Sequence, residues 1–143
     1  MRLLFDTNVI LDVLLDREPF STTAAQLFSQ VETGDLSGYI CATTVTTVHY
    51  LASKAAGPVR AKKEIMKLLA LFEIAPVNRP VLEAALTSHF VDFEDAVVHE
   101  AAIQVGAQGI VTRDIPGFKQ AKIHIYSPEE LSGMLRVRDK QLH

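Results

Sequence analysis

The chain has 143 residues, 48% of them hydrophobic and 22% charged, which suits one domain with a real core and excludes a disordered chain. Its net charge of −3 lacks the basic excess of a module that grips duplex nucleic acid by charge, but leaves room for an enzyme that meets RNA at one cleft where bound cations reverse the local field. Cys41 is the only cysteine, so an internal disulfide and cysteine-rich zinc sites are excluded; no apolar run approaches the roughly 18 residues of a membrane span.

In chain order, Arg2-Leu3-Leu4-Phe5 is a short apolar run without alternation that stops at Asp6, the pattern of a buried parallel strand entering a loop. An acid this early in the chain predicts no secretory leader, so a cytoplasmic protein without membrane association is expected. Residues 7–15 place Val9, Ile10, Val13 and Leu14 at helical spacing, with Asp6 or Thr7 as cap. A second helix is predicted over residues 21–33, ended by Gly34. Tyr39-Ile40-Cys41-Ala42 predicts a second buried strand. Val45, Val48, Leu51 and Ala52 then keep helical spacing towards Gly57-Pro58 through a run of threonines, which weaken helix propensity.

Residues 59–71 form the clearest helix, with Ile65, Leu68, Leu69 and Phe72 in one stripe and Arg60, Lys62, Lys63 and Lys67 mostly off it. Such a basic run reads most simply as a solvated face. Phe72-Glu73-Ile74-Ala75 predicts a third strand. Asn78 caps a helix reaching Leu86, and a further helix runs from Asp92 to Gln104. Gly109-Ile110-Val111-Thr112 and Ile123-His124-Ile125-Tyr126 predict the last two strands, and Ser127-Pro128 opens a short final helix. Residues 1–135 thus form one domain, and residues 136–143 a polar C-terminal tail expected to fray. The alternation predicts an α/β fold, a parallel sheet of about five strands with helices on both faces.

Ligands of such sheets bind beyond the carboxyl ends of the strands, where strand order reverses. Asp6 follows the first strand and Asp114 the fourth, while Asp92 and Asp95 open the helix leading into the fourth. Each acid has an ordinary structural use: Asp6 and Asp92 as helix caps, Asp95 in a first turn, Asp114 at a bend before Pro116-Gly117. Together they fall at one edge of the sheet. Clustered carboxylates repel and raise one another's pKa, and a hard divalent cation, Mg²⁺ or Mn²⁺, neutralises such a set and suits phosphodiester chemistry. Arg113, beside Asp114, is a candidate phosphate contact. His99 shares a helix face with Asp92 and Asp95, although a partly buried structural histidine is the commoner case.

Three motifs carry a resemblance. Leu3-Leu4-Phe5-Asp6-Thr7-Asn8-Val9-Ile10-Leu11, Asp92-Phe93-Glu94-Asp95-Ala96-Val97 and Ile110-Val111-Thr112-Arg113-Asp114 resemble, in order and spacing, the acidic motifs of PIN domains, including the toxin ribonucleases of toxin–antitoxin systems. The resemblance spans essentially the whole chain. It implies a three-layer α/β/α sandwich and a Mg²⁺- or Mn²⁺-dependent endoribonuclease cleaving single-stranded RNA. It also implies a homodimer restrained by a small antitoxin protein, expected to present an arginine or lysine to the acidic cleft. By position, Asp6, Asp95 and Asp114 are the implied catalytic metal acids, with Asp92 able to join them and Asn8 and Thr112 as polar supports. Family members usually carry a glutamate in the helix after the second strand, a place Thr47 takes here, which implies a weakened metal site. Two other classes remain: a PIN-like domain that binds RNA or protein without cleaving, and a phosphoryl-transfer domain of receiver or dehalogenase type. The latter fits less well, because Asn8 and Asn78 stand where acids are wanted.

Overall fold

The computed structural model describes residues 1–142. Five strands, β1 (Arg2–Phe5), β2 (Ser37–Cys41), β3 (Glu73–Ala75), β4 (Gly109–Val111) and β5 (His124–Tyr126), form one parallel sheet in the order β3-β2-β1-β4-β5. Seven helices accompany them among the described residues: α1 (Thr7–Leu14), α2 (Ser21–Glu32), α3 (Ala42–Ala56), α4 (Pro58–Leu71), α5 (Arg79–Thr87), α6 (Phe93–Gln104) and α7 (Pro128–Leu142). None is long and apolar enough to cross a membrane.

The sheet separates two cores. Leu3, Phe5, Ile40 and Val111 point to one, where they meet α1, α2, α3, α4 and α7; Leu4, Cys41 and Ile110 point to the other, against α5 and α6. This is the period-two alternation of strands buried on both faces, and it makes the three-layer α/β/α sandwich. Phe5, Phe28 and Phe72 pack edge-on in the first core, with centroids 5.1–6.1 Å apart. The second core is built from small residues, Ala96, Ala101 and Ala102 of α6 and Ala85 of α5, which let that helix pair lie close to the sheet.

The helix expected through the threonine run forms over 15 residues, because Thr44, Val48 and Ala52 are buried at i, i+4 and i+8 and packing outweighs a propensity cost of a few tenths of a kcal/mol per residue. Two other elements depart from expectation. Leu69, placed in the stripe of α4, is exposed, while Ala61 is fully buried. The final helix is long rather than short: α7 also has 15 residues, and the segment expected to fray continues it as far as Leu142. Leu131 and Leu135 anchor its first half in the core with Leu27 and Val31, and Arg136, Arg138, Lys140 and Gln141 are good helix formers that extend it. Residue 143 lies outside the described residues.

The centre of the sheet tolerates little added volume. A Cβ on Gly109 of β4 would lie 2.9 Å from the His124 carbonyl oxygen and 2.7 Å from Tyr126 Cε2; the backbone atom has nowhere to go. Gly109→Ala is expected to destabilise the fold by about 1–3 kcal/mol, read as a lower urea midpoint with an unchanged m-value.

Candidate active site

Strand order reverses between β1 and β4, which pair directly through Leu4↔Ile110 and Phe5↔Val111. Chains leaving these two strands part to opposite layers, and the gap between them is the crevice where parallel sheets bind ligands. Asp6 is the first residue past β1. Its amide donates to Val111 O at 2.9 Å, so its backbone is the last rung between the two strands.

The carboxylate of Asp6 is only 6% exposed. Oδ1 accepts from Thr7 N at 2.9 Å, capping α1; Oδ2 accepts from the Thr112 hydroxyl at 2.8 Å and, at 3.4 Å, from Asn8 Nδ2. Thr112, fully buried, also accepts from Asn8 Nδ2 at 3.2 Å and from the Asp114 amide at 3.0 Å. Asn8 Oδ1 in turn accepts from the Arg113 amide at 3.1 Å. These bonds tie the exits of β1 and β4 into one unit.

Asp95 enters from the other layer. The Asp92 side chain accepts from the Asp95 amide at 2.9 Å as the N-cap of α6, directing the first turn of that helix at the switch point. Asp6, Asp92, Glu94, Asp95 and Asp114 line one open cleft of about 370 Å³, together with Thr7, Asn8, Leu11, Arg17 and Arg113. A larger groove of about 420 Å³ beside α1 and α2 has acids at Asp16 and Glu18, both exposed, and lies away from this cluster.

The acids feel one another. Asp95 is pushed up to about 7, chiefly by burial and then by the charges of Asp6, Asp92, Asp114 and Glu94. Asp6 is also raised, chiefly by burial, against the lowering effect of its bonds to Thr112 and Thr7; Asp114 and Glu94 add to the rise. The ordinary structural uses hold too: Asp6 and Asp92 cap helices, and Asp114 accepts from the Gly117 amide at 3.2 Å.

A hard cation fits this donor set. All the acids are oxygen ligands, and their mutual repulsion is what a divalent ion relieves. The absence of a side chain at residue 117 keeps the floor open: a Cβ there would collide with Asp114 Oδ2 and stand 3.1 Å from Asp95 Oδ2. Among the described residues no three acid, histidine or cysteine side chains converge on one chelating point.

Not every candidate residue points into the cleft. His99 is buried in the second core, its Nε2 accepting from the Lys122 amide at 3.0 Å and its ring lying 4.8 Å from that of Phe90. Its Nδ1 lies 3.4 Å from Glu100 Oε1 without the alignment of a hydrogen bond. Burial lowers its pKa against the pull of Glu100, which favours a neutral structural ring. Cys41 is fully buried. Arg60, Lys62, Lys63 and Lys67 lie on α4, outside the cleft walls. Thr47 is not a cleft wall either: its hydroxyl donates to the Thr43 carbonyl at 3.2 Å. One turn earlier, buried Thr44 shares a 3.1 Å hydrogen bond with the Thr7 hydroxyl.

Sequence reasoning missed Asp12, Arg17 and Glu94. Asp12 is fully buried and ion-paired to Arg17 at 2.9 Å and Arg113 at 2.6 Å. The signal was present: in Thr7–Leu14, Asp12 is the one charged residue among apolar neighbours on both sides, and an acid there is either paired or very costly.

A family model described as PIN domain matches residues 2–116. Among solved structures, a DNA-bound VapBC from Salmonella typhimurium is 16% identical with a TM-score of 0.70, over 90% of this chain and 98% of that one. A VapBC2 from Rickettsia felis bound to a fragment of its promoter is 13% identical with a TM-score of 0.67, over 89% and 98%. VapC20 of Mycobacterium tuberculosis, described as a sarcin–ricin loop cleaving toxin, is 15% identical with a TM-score of 0.61, over 76% and 86%. These likenesses establish a shared fold. A search of curated protein sequences returns no match.

The raised acids make stability pH-dependent. A carboxyl whose folded pKa exceeds its unfolded value binds more protons when folded, so its penalty is absent below the unfolded pKa and complete above the folded one. For Asp95, the apoprotein loses stability as pH rises from 3.8 to about 7. Thermal unfolding in EDTA should give a lower Tm at pH 8 than at pH 5, and Asp95→Asn should raise the Tm at pH 8 and flatten the profile; an unchanged profile would show that the fold does not raise Asp95.

Proposed function

The chain belongs to the PIN-domain family, and we propose that it is a divalent-metal-dependent endoribonuclease acting on single-stranded RNA, the toxin of a toxin–antitoxin pair. Its proposed partners are a small antitoxin protein and a second copy of itself, and its proposed setting is the cytoplasm. The observation that supports this reading is that Asp6, Asp95 and Asp114 line one cleft past the ends of β1 and β4, where burial and mutual charge raise Asp6 and Asp95. A cluster so disfavoured in the apo state is explained by a cation that it serves to hold.

In this reading Asp6, Asp95 and Asp114 hold Mg²⁺ or Mn²⁺, with Asp92 beside them. Bound there, the ion supplies Lewis acidity and offsets the charge that builds on a phosphodiester under attack. The chain's own part is positional. Thr112 and Asn8 keep the Asp6 carboxylate in one orientation, α6 brings Asp95 over it through the Asp92 cap, and the missing side chain at Gly117 leaves room at Asp95 and Asp114. The toxin role and the antitoxin rest on the company of the fold: structural relatives described as toxin–antitoxin assemblies. An acid-lined cleft also suits a restraining segment that presents lysine or arginine.

Asp6→Asn keeps the shape and an acceptor for the α1 cap but removes a charge. Cleavage of single-stranded RNA with Mn²⁺ should fall by about two orders of magnitude or more, while the far-UV circular dichroism stays that of the folded parent. Equal cleavage rates would place the chemistry elsewhere.

Thr47 tests the missing acid. It lies one turn beyond Thr44 on the same face of α3, and Thr44 touches Thr7 of the cleft wall. A carboxylate arm at position 47 is longer than the threonine hydroxyl, which is turned back onto its own helix. Thr47→Glu should bind Mn²⁺ more tightly than the parent by calorimetric titration; equal affinities would remove Thr47 from the proposed ligand position.

A further inference from the structure

The cleft that holds the acids is also lined by two arginines, Arg17 and Arg113. Asp12, 0% exposed, receives Arg113 through Nε at 2.6 Å and Nη2 at 3.1 Å, and Arg17 through Nε at 2.9 Å. Arg17 Nη2 donates to the Asn8 carbonyl at 3.0 Å. The Arg113 guanidinium lies over the Phe20 ring, 3.8 Å from its centroid. One arginine suffices to neutralise Asp12, so the second leaves a net positive charge fixed at the cleft. In both arginines Nη1 makes no hydrogen bond among the described residues. Both side chains are part-exposed, 38% for Arg17 and 28% for Arg113, and both line the same cleft as the acids.

We propose that Arg17 and Arg113, locked side by side on Asp12, form a phosphate subsite that receives a backbone phosphate of single-stranded RNA beside the bond to be cut. Asp12 is the positioning residue of this pair. The inference rests on the nuclease reading and assigns the substrate's place within it. A polyanion approaching five acids needs a fixed positive surface beside them to seat against. Arginine supplies it in planar form, with a fork matched to phosphate. Ordering such a side chain normally costs rotamer entropy at binding; here Asp12, the Asn8 carbonyl and Phe20 have already ordered both. The same network reaches the acids, because Asn8 contacts Asp6, Arg17 and the Arg113 amide. A phosphate seated on the arginines is thereby held in register with the carboxylates.

Arg17→Gln is the test, since Asp12 keeps Arg113 and the fold is retained. Two measurements are made on the full chain: cleavage kinetics with Mn²⁺, and anisotropy of a labelled single-stranded RNA with Ca²⁺ across a salt series. Arg17→Gln should raise KM and the RNA Kd by roughly tenfold with kcat within about twofold, and should flatten the slope of log affinity against log salt by about 0.7. Arg17→Lys should keep most of the salt slope with an intermediate Kd. A parent that cleaves while Arg17→Gln matches it in Kd and slope overturns the subsite alone, as does a loss confined to kcat. If the parent binds RNA without cutting it and Arg17→Gln still weakens binding, the subsite stands and the nuclease reading falls. A parent that binds no RNA overturns both.

Discussion

The Thr112 hydroxyl donates to Asp6 Oδ2 and accepts from the Asp114 amide, and through it the ends of two strands 106 residues apart in sequence share one hydrogen-bonded corner. Without this bridge Asp6 would be a nearly buried carboxylate held mainly by the Thr7 amide. With it, the carboxylate keeps a defined orientation at the seam between β1 and β4. Every other part of the cleft is placed relative to that corner: Asn8 bonds to both Asp6 and Thr112, Asp114 turns out of it, and α6 approaches it from the opposite layer.

Two kinds of buried charge meet here, and they are balanced differently. Asp12 is fully buried and satisfied by two guanidinium groups, so its charge is part of the folded structure. Removing its partners would leave a desolvated carboxylate, which is strongly destabilising. Asp6 and Asp95 have no such cation. Burial and neighbouring acids raise both, and the protein bears that cost at the cleft. The contrast separates a charge neutralised within the fold from one left without a counter-ion more clearly than burial alone, since Asp12 is the more buried of the two aspartates on this segment.

The sequence was most legible where pattern and packing agree. The apolar run of β1, the caps at Asp6, Asn78 and Asp92, and the order of strands and helices follow from short-range chemistry, and the structure carries all of them. The threonine-rich α3, expected from its apolar spacing, is held helical by the face buried under Val48. One element was misjudged because it depends on contacts distant in the chain. The length of α7 is set by the docking of Leu131 and Leu135 beside α2. His99 shows the limit of reading a helix face from spacing: at i+4 from Asp95 it has turned far enough to sit under Phe90 and the Lys122 amide.

By itself the sequence determined the α/β class, the strand-end positions of Asp6 and Asp114 and the PIN resemblance, because alternation, caps and breakers act within a few residues. It did not determine which strands are neighbours. The pairing of β1 with β4 creates the switch point, brings Asp95 across from the other layer and turns Arg113 onto Asp12. These are contacts between residues far apart in the chain, settled by the global packing of two cores on one sheet, and no local preference encodes them.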